Sequence, residues 1–194
     1  LFILFSSGTT GKPKCIVHGI GGTLIQHMKE HQLHCNLTKN DRLFYYTTCG
    51  WMMWNWMVSA LASGVSLVVF DGAAIQSSKT IWDLANTYNV SVFGCSASFI
   101  GASQKRNITL FEKLTTVRLI LSTGSPLLPN HYDYLYSQFT YPIQVGSISG
   151  GTDIISCFAL CNPLTPVKKG LIQGKGLGMD IVSISNGNEE IGSK

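Results

Sequence analysis

Residues 43–70, LFYYTTCGWMMWNWMVSALASGVSLVVF, form a stretch without a single charged side chain. The stretch is longer than the roughly 20 apolar residues that cross a bilayer, so a membrane helix is the first interpretation to weigh. Polar residues interrupt it, however, and Gly64, a common helix terminator, separates a helix-length segment, 51–63, from a strand-length segment, 66–70. The stretch therefore predicts a buried strand–helix–strand unit and no membrane span.

The alternation of strands and helices continues over most of the chain. Apolar and β-branched runs predict strands at residues 1–5, 42–46, 66–70, 90–94, 119–123 and 143–147. Helices are predicted at residues 22–34, 51–63, 80–88, 96–104 and 130–139. This spacing produces βαβ units, so the predicted fold class is α/β, with a mostly parallel sheet covered by helices. After Ser147 the pattern changes to loops and short hairpins, including residues 181–184 before a turn at Asn186 and Gly187, which predicts the start of a β-rich subdomain.

Composition limits the classes of function. The 194 residues are 45% hydrophobic, enough for a real core, and only 12% charged, against the roughly 25% that is usual. Basic residues cluster only as pairs, at Lys12 with Lys14, Lys105 with Arg106 and Lys168 with Lys169, which is too sparse for a nucleic-acid surface. Six cysteines without a CxxC pattern predict reduced core thiols and a cytoplasmic location. The chain starts inside an apolar run without an initiating Met, so we expect a fragment that lacks the remainder of its own protein.

A loop rich in glycine, hydroxyl groups and lysine follows the first predicted strand. It has the sequence SSGTTGKPK over residues 6–14. Glycines permit close backbone approach to an anion, hydroxyls donate to phosphate oxygens and lysines supply positive charge, and the residues concerned are Ser7, Gly8, Thr9, Thr10, Gly11, Lys12 and Lys14. Ligands of α/β sheets bind beyond the carboxyl ends of strands, so we predict a phosphate-binding loop. It is not a Walker loop, because two residues instead of four precede Gly-Lys and Pro13 replaces the magnesium-binding Ser or Thr.

This loop resembles the signature of the adenylate-forming superfamily, which includes acyl-CoA synthetases, luciferases and the adenylation domains of peptide synthetases. Residues 122–126, STGSP, resemble the loop that holds adenine in that superfamily, and residues 150–153, GGTD, resemble the loop that meets phosphate and magnesium. Together with TTCGWMMWNWMVSALASG and GSISGGTDIISCF, these elements resemble the acetoacetyl-CoA synthetases. Two positions differ from the wider superfamily: Cys15 replaces a common Gly, and Asp153 replaces the usual Glu, which keeps a hard oxygen ligand but shortens its reach.

The resemblance implies a domain and a reaction. Residues 1–194 are expected to be part of one AMP-binding (adenylation) domain, with an α/β portion at 1–147, a loop and β-rich portion at 148–194, and the C-terminal lid domain absent. The implied reaction activates acetoacetate with ATP and Mg²⁺ through an acetoacetyl-adenylate, and CoA then forms the thioester. Because the family's lid lysine and ribose-binding aspartate are expected beyond Lys194, the isolated fragment is expected to be inactive. The alternatives are a ligase for another short-chain acid and a truncated, non-catalytic nucleotide-binding fragment.

The resemblance also implies roles for individual residues. The expected catalytic residues are Lys14, Thr10, Thr152 and Asp153, with Asp153 as the metal ligand. The expected nucleotide-binding residues are Ser7, Gly8, Thr9, Thr10, Gly11, Lys12, Lys14, Gly124, Ser125, Pro126, Gly151 and Thr152. The expected acyl pocket consists of Trp51, Met52, Met53, Asn55, Thr123 and Gly150. Acetate-specific relatives carry a tryptophan at the position of Gly150, so this glycine is expected to leave room for acetoacetate, and the candidate donors to the ketone are Asn55, Thr123 and Trp51.

One motif supports a different function. Residues 27–31, HMKEH, match the HxxEH pattern of inverted zinc proteases and place two histidines on one helix face. No persuasive third ligand follows, and the helix has apolar residues at Leu24, Ile25 and Met28. We therefore interpret His27 and His31 as solvent-facing residues of a scaffold helix. In the next helix, Trp54 and Met57 are interpreted as core residues.

Overall fold

A parallel sheet of five strands forms the centre of the protein in a computed structural model that describes residues 2–6, 11–76, 80–110, 114–185 and 188–190. The strands are β1 Phe2–Ser6, β2 Lys14–His18, β3 Arg42–Tyr45, β4 Ser66–Val68, β5 Val92–Ser96, β6 Leu119–Thr123, β7 Gln144–Ser147, β8 Ser149–Gly151, β9 Ser156–Leu160, β10 Gly174–Lys175, β11 Ser183–Ser185 and β12 Asn188–Glu190. The helices are α1 Ile20–Lys29 with a π-helical extension Glu30–His34, α2 Met52–Ser59 with a 3-10 extension Ala60–Ser63, α3 Ile81–Thr87, α4 Ala97–Lys105 and α5 Pro129–Ser137. The sheet has the strand order β4-β3-β5-β6-β7, and each neighbouring pair is parallel.

Alternate residues of the sheet belong to two separate cores. On β3, Leu43 and Tyr45 pack in a core shared with α2, whereas Phe44 packs in a core shared with α3, α4 and α5. Successive side chains of a strand point to opposite faces, so helices cover both faces and the predicted α/β class is confirmed. Burial on both faces also accounts for the charge-free stretch. Among the described residues, no helix is long and apolar enough to cross a membrane.

The first predicted strand does not join the parallel sheet. β1 instead pairs antiparallel with β2, a strand that we did not predict, in a register from Phe2 opposite His18 to Ser6 opposite Lys14. Residues 7–13 are too few for the crossover of a dozen or more residues that a parallel partner needs, so the chain turns back on itself. The glycine-rich loop therefore connects the strands of a hairpin and does not lead from a sheet strand into a helix.

The chain after Ser147 forms short antiparallel strands. β9 lies between β8 and β10 in a three-stranded sheet, and β11 pairs with β12. The predicted turn at Asn186 and Gly187 lies outside the described residues. The pairing of β8 with β9 is irregular between Ser149 and Gly150, which brings Gly150 opposite Cys157. The division into two portions at residue 147 stays a prediction.

Four of the described helical segments are followed by a residue with left-handed backbone. Gly64 follows the 3-10 extension of α2 with φ of 76°, and it is the terminator that the sequence predicted. Asn36, Asn89 and Asn107 follow other helical segments, each with φ of 50°. Asparagine tolerates this conformation better than other residues with a Cβ, so its short polar side chain replaces glycine at these helix ends.

The expectation of six core thiols is wrong for two of the cysteines. All six are free, and Cys35, Cys95, Cys157 and Cys161 are buried, but Cys15 and Cys49 are exposed. Cys15 lies on the hairpin strand β2, and Cys49 lies in the loop between β3 and α2. An apolar neighbourhood in the sequence is a weak guide to burial in such short connecting segments.

Asp41 links the amino-terminal ends of three neighbouring strands. Its carboxylate accepts hydrogen bonds from the Thr38 backbone nitrogen at 2.8 Å, from Ser91 Oγ at 2.7 Å and from Arg118 Nε at 3.0 Å. Burial raises the pKa of Asp41, but the hydrogen bonds from Arg118, Ser91 and Thr38 outweigh burial and lower the pKa below its ordinary value. Asp41, Ser91 and Arg118 each directly precede a strand, so the carboxylate fixes the strand starts at the edge of the sheet where β3, β5 and β6 begin.

Asp41→Asn in the full-length protein is expected to lower the free energy of unfolding at pH 7 by about 1–3 kcal/mol, because an amide nitrogen then faces N–H donors. Because the pKa of Asp41 is lower in the folded protein, its ionised carboxylate stabilises the wild type fully above the pKa of the unfolded state, about 4. This stabilisation is lost as the pH falls through the lower pKa of the folded state. Urea unfolding should therefore show a smaller difference in unfolding free energy between the wild type and Asp41→Asn at pH 3 than at pH 7. An equal difference at both pH values would contradict this role.

Candidate functional site

A cleft of about 530 Å³ lies beyond the carboxyl ends of β6 and β7. Its walls come from the start of α2, the loop after β6, the segment from β7 to the turn after β8, β9, and the loop before β10. The lining residues are Trp51, Met52, Met53, Thr123, Gly124, Ser125, Pro126, Leu127, Ser147, Ile148, Ser149, Gly150, Gly151, Thr152, Cys157, Gly170 and Ile172. Three regions that the sequence placed far apart, 51–53, 123–126 and 150–152, therefore meet at the sheet edge where α/β proteins bind ligands.

The start of α2 supplies an apolar wall. Trp51 is partly exposed, whereas Met52 and Met53 are buried with side chains that reach the cleft. Further along the helix, Met57 is buried in the core, and Trp54 packs partly buried against that core. These two positions agree with the interpretation of Trp54 and Met57 as core residues.

The three candidate donors to a ketone differ in their placement. Asn55 is buried but does not line the cleft, and its Oδ1 has no hydrogen-bond partner among the described residues. Thr123 lines the cleft, but its hydroxyl donates to the Ile148 carbonyl oxygen at 2.8 Å. The indole of Trp51 lines the cleft, and within the described part of the chain no hydrogen bond engages its N–H. Of the three candidates, Trp51 is therefore the best placed to donate a hydrogen bond into the cleft.

Gly150 lies where two backbones approach closely. A Cβ on Gly150 would be 2.0 Å from the Ser156 carbonyl oxygen and 2.8 Å from Cys157 Cα, so it would point at β9. A side chain at this position therefore requires movement of the backbone. This direction of the Cβ argues against empty space for the acid at Gly150, although the glycine lines the cleft, and its role in acyl specificity stays a prediction. A Cβ on the neighbouring Gly151 would meet no atom within 4 Å.

The predicted adenine loop follows β6 directly. Gly124 has φ of 87°, a left-handed conformation that favours glycine, and Ser125 and Pro126 are exposed at the rim of the cleft. A Cβ on Gly124 would be 3.9 Å from the Trp51 ring, an ordinary contact, so the backbone conformation and not crowding requires glycine here. The loop thus presents exposed backbone next to the aromatic wall.

The predicted phosphate loop is described only in part. Ser7, Gly8, Thr9 and Thr10 lie outside the described residues, so their contacts with phosphate stay predictions. Gly11, Lys12 and Lys14 are exposed and do not line the 530 Å³ cleft. The hairpin itself reaches the site at its opposite end, where His18 Nε2 lies 2.9 Å from the Thr152 carbonyl oxygen.

The turn after β8 carries Thr152 and Asp153. Thr152 is partly buried and lines the cleft, whereas Asp153 is exposed outside the cleft lining. Among the described residues, no group of three or more His, Cys, Asp or Glu side chains could hold a metal ion. A lone exposed carboxylate beside a hydroxyl nevertheless fits Mg²⁺ that arrives with a nucleotide, because such an ion uses one or two carboxylates together with substrate phosphates and water.

The same turn contains a strained residue. Ile155 has φ of 46°, which is rare for a β-branched side chain, and its backbone nitrogen donates to the Thr152 carbonyl oxygen at 3.2 Å. Its carbonyl oxygen lies 2.5 Å from His27 Nε2. Conformations of this kind persist only where surrounding contacts determine them, so His27 and His18 together hold the backbone on both sides of Asp153.

The prediction that His27 and His31 face solvent is wrong. Both are fully buried, whereas Ile25 on the same helix is 71% exposed, so α1 packs through its polar face. The ring of His31 meets Trp56 edge-on with ring centroids 4.3 Å apart, and burial, together with the neighbouring His27, lowers the pKa of His31 to about 3. His31 is therefore neutral at physiological pH and serves packing.

Sequence reasoning missed part of the cleft lining. Ile148 follows β7 at the carboxyl edge of the sheet, and its position after a predicted strand could have indicated it. Cys157, Gly170 and Ile172 come from β9 and the long loop before β10, where no local pattern points to a ligand. Their place in the site depends on how the antiparallel strands fold back over the sheet.

Comparison with known proteins agrees with this arrangement. A match to the AMP-binding enzyme family covers residues 1–188. The chain is 52% identical over 184 residues to both the acetoacetyl-coenzyme A synthetase of Rhizobium meliloti and the acetoacetyl-CoA synthetase of Mus musculus, and these matches cover 93% of this chain but only 28% and 27% of the relatives. The solved structure of acetoacetyl-CoA synthetase from Streptomyces lividans matches with a TM-score of 0.89 and 40% identity, over 94% of this chain and 29% of that chain. The chain spans less than a third of the length of these proteins, and over that span it belongs to the family of AMP-binding enzymes.

Proposed function

We propose that the protein containing this chain is an AMP-forming acid–thiol ligase that activates acetoacetate through an acetoacetyl-adenylate and transfers the acyl group to CoA. The observation that carries this proposal is one cleft in which the 124–126 loop, the Thr152 turn and the apolar wall at Trp51, Met52 and Met53 converge. Similarity to acetoacetyl-CoA synthetases over most of the chain supports acetoacetate as the acid.

The first half-reaction needs no general base. At pH 7 the carboxylate of the acid is already ionised, and one of its oxygens attacks the α-phosphorus of ATP while the bond to the bridging oxygen breaks and pyrophosphate leaves. The protein must hold these groups in line and stabilise the charge that grows on the leaving group. Mg²⁺, when bound at Asp153, would neutralise phosphate charge.

The chain's own residues divide this work. Thr152, at the wall of the cleft, is proposed to donate its hydroxyl to a phosphate oxygen. Lys12 and Lys14, together with Ser7, Thr9 and Thr10, are proposed to bind the departing pyrophosphate. In the second half-reaction the sulfur of CoA attacks the acyl carbonyl carbon and the thiol proton passes to water, while the bond to the AMP oxygen breaks and AMP leaves.

The acyl wall suits a short, mostly apolar acid. Met52 and Met53 are buried beside the cleft and can pack against the methyl end, and the Trp51 indole N–H can donate to the ketone oxygen. Since Thr123 already donates to Ile148, the wall offers few donors. The scarcity of donors favours a second candidate function, in which the ligase activates butyrate, an acid of the same chain length without the ketone.

The experiment is ATP–pyrophosphate exchange by the full-length protein with acetate, acetoacetate and butyrate. The highest kcat/KM is expected for acetoacetate. Trp51→Phe, which keeps an aromatic wall and removes the N–H, should lower kcat/KM about tenfold or more for acetoacetate and much less for butyrate, because a buried acceptor then loses its donor. Equal activity with all three acids would contradict the assignment of acetoacetate, and no exchange with any acid would contradict the ligase.

A further inference from the structure

Glu30 connects two walls of the cleft without lining it. Its side chain is fully buried, and its Oε2 accepts a hydrogen bond from Trp56 Nε1 at 2.7 Å. Its Oε1 accepts from the Cys157 backbone nitrogen at 3.0 Å and from Gln26 Nε2 at 3.0 Å. Trp56 lies on α2, one turn beyond Met52, and Cys157 lines the cleft on β9. One carboxylate thus joins the helix of the acyl wall to the strand on the other side.

The hydrogen bond from the Cys157 backbone nitrogen to Glu30 fixes β9 where it contacts Gly150. Cys157 is the register partner of Gly150 across the irregular β8–β9 pairing, and the two backbones are in close contact there. Because β8 and β9 are paired there and leave no space between their backbones, we expect a shift of Cys157 to move residues 150–152 with it. Glu30 therefore acts on the loop through the backbone of its neighbour.

The helix end of the link is equally rigid. Trp56 and Met53 are each 1% exposed and belong to the same core, so a movement of the Trp56 indole must displace the apolar wall. A buried carboxylate is costly, and a well-packed apolar pair often stabilises a fold as well or better. Directed hydrogen bonds, in contrast, define a distance and a register, which an apolar contact does not.

We propose that Glu30 is a positioning residue for acyl specificity, which sets the separation between the acyl wall of α2 and residues 150–152 and thereby the size of acid that the cleft accepts. This inference rests on the proposed ligase function. It assigns specificity to a side chain that touches neither acid nor nucleotide. It also replaces the empty space expected at Gly150 with a distance that the fold controls.

Glu30→Gln in the full-length protein tests this role, because it keeps the shape and exchanges one acceptor oxygen for an NH₂ donor. Whichever way the new amide is oriented, its NH₂ group faces another N–H donor. That donor is the Trp56 indole in one orientation, and the Cys157 backbone nitrogen and the Gln26 amide in the other. KM for acetoacetate is expected to rise about tenfold and KM for ATP by a smaller factor, through the displaced Thr152, and the preference for acetoacetate over acetate and butyrate should narrow. Trp56→Phe, which removes the link from the other side, should move the same parameters in the same direction.

Rescue in the double variant separates positioning from general damage. In Glu30→Gln with Trp56→Phe, the amide NH₂ can face the phenylalanine ring while its oxygen still accepts from Cys157. KM for acetoacetate should therefore fall from the value of Glu30→Gln to that of Trp56→Phe, which also lacks the link to α2. Asp41→Asn is the matched control, since it also replaces a buried carboxylate that accepts several donors, but at the opposite edge of the sheet. It should lower the melting temperature without changing the ratio of the two KM values.

The outcomes are distinguishable. An active wild-type protein in which Glu30→Gln leaves acid selectivity and both KM values unchanged would overturn the positioning role and leave the ligase function standing. Equal losses for ATP and for every acid in Glu30→Gln and Trp56→Phe, as a purely structural residue would produce, would also overturn it. A wild-type protein inactive with every acid would overturn the proposed function and this inference together.

Discussion

Gly150→Ala in the full-length protein is expected to lower ATP–pyrophosphate exchange roughly 100-fold for acetate, acetoacetate and butyrate alike. The added Cβ would lie 2.0 Å from the Ser156 carbonyl oxygen, a backbone atom with no rotamer by which to move away. Relief therefore requires β8 and β9 to separate, which displaces the turn with Thr152 and Asp153. Displacement of about 1 Å at reacting groups is enough for a loss of this size. Rates of ATP–pyrophosphate exchange with the three acids measure this loss of activity.

Gly21→Ala is the matched control for this prediction. The same methyl group at an exposed position of α1, away from the cleft lining, meets no atom within 4 Å, so exchange is expected to stay within about threefold of the wild type. Gly150→Trp should be as inactive as Gly150→Ala with all three acids. A Gly150→Trp protein that keeps its rate with acetate while it loses acetoacetate would restore the pocket-filling explanation and contradict the present one.

Asp153→Asn is expected to abolish most magnesium-dependent exchange, by about 100-fold or more, because the amide keeps the shape of the side chain but loses the charge that holds the ion. The fold should be unaffected, since Asp153 is exposed. Exchange rates across a magnesium titration, together with the melting temperature, test both parts. Higher magnesium should restore part of the activity, and Asp153→Glu should be milder.

Asp133→Asn provides the control for charge removal as such. Asp133 is an exposed carboxylate on α5, where it pairs with Lys169 at 2.5 Å, away from the cleft lining. Its replacement is expected to leave both the rate and the magnesium dependence unchanged. Full activity of Asp153→Asn at low magnesium would show that the metal is held elsewhere.

The backbone of the fold could be predicted from local pattern, and the family from the resemblance of the loop motifs. Residues 43–70 indicated a strand, a helix and a second strand, and the structure has β3, α2 and β4 there with Gly64 at the helix end. Such predictions succeed because side-chain periodicity and turn chemistry act over a few residues. The loops at 122–126 and 150–153 were predicted to serve one site through their resemblance to the adenine and phosphate loops of the adenylate-forming superfamily, and parallel strands that end at one edge of the sheet bring them to one cleft.

Other features depend on which segments meet in space. The helix at residues 20–34 has apolar residues that predicted its inner face. It packs instead through its polar face, because Ile155 and Cys157 offer backbone groups to His27 and Glu30. The antiparallel partner of β1 and the close approach at Gly150 arise in the same way, from pairings that sequence spacing alone does not specify. The sequence by itself therefore determined the α/β architecture, the family and the candidate functional residues. Only the tertiary structure decided what surrounds them, because polar burial and backbone contact are properties of two segments that have come together.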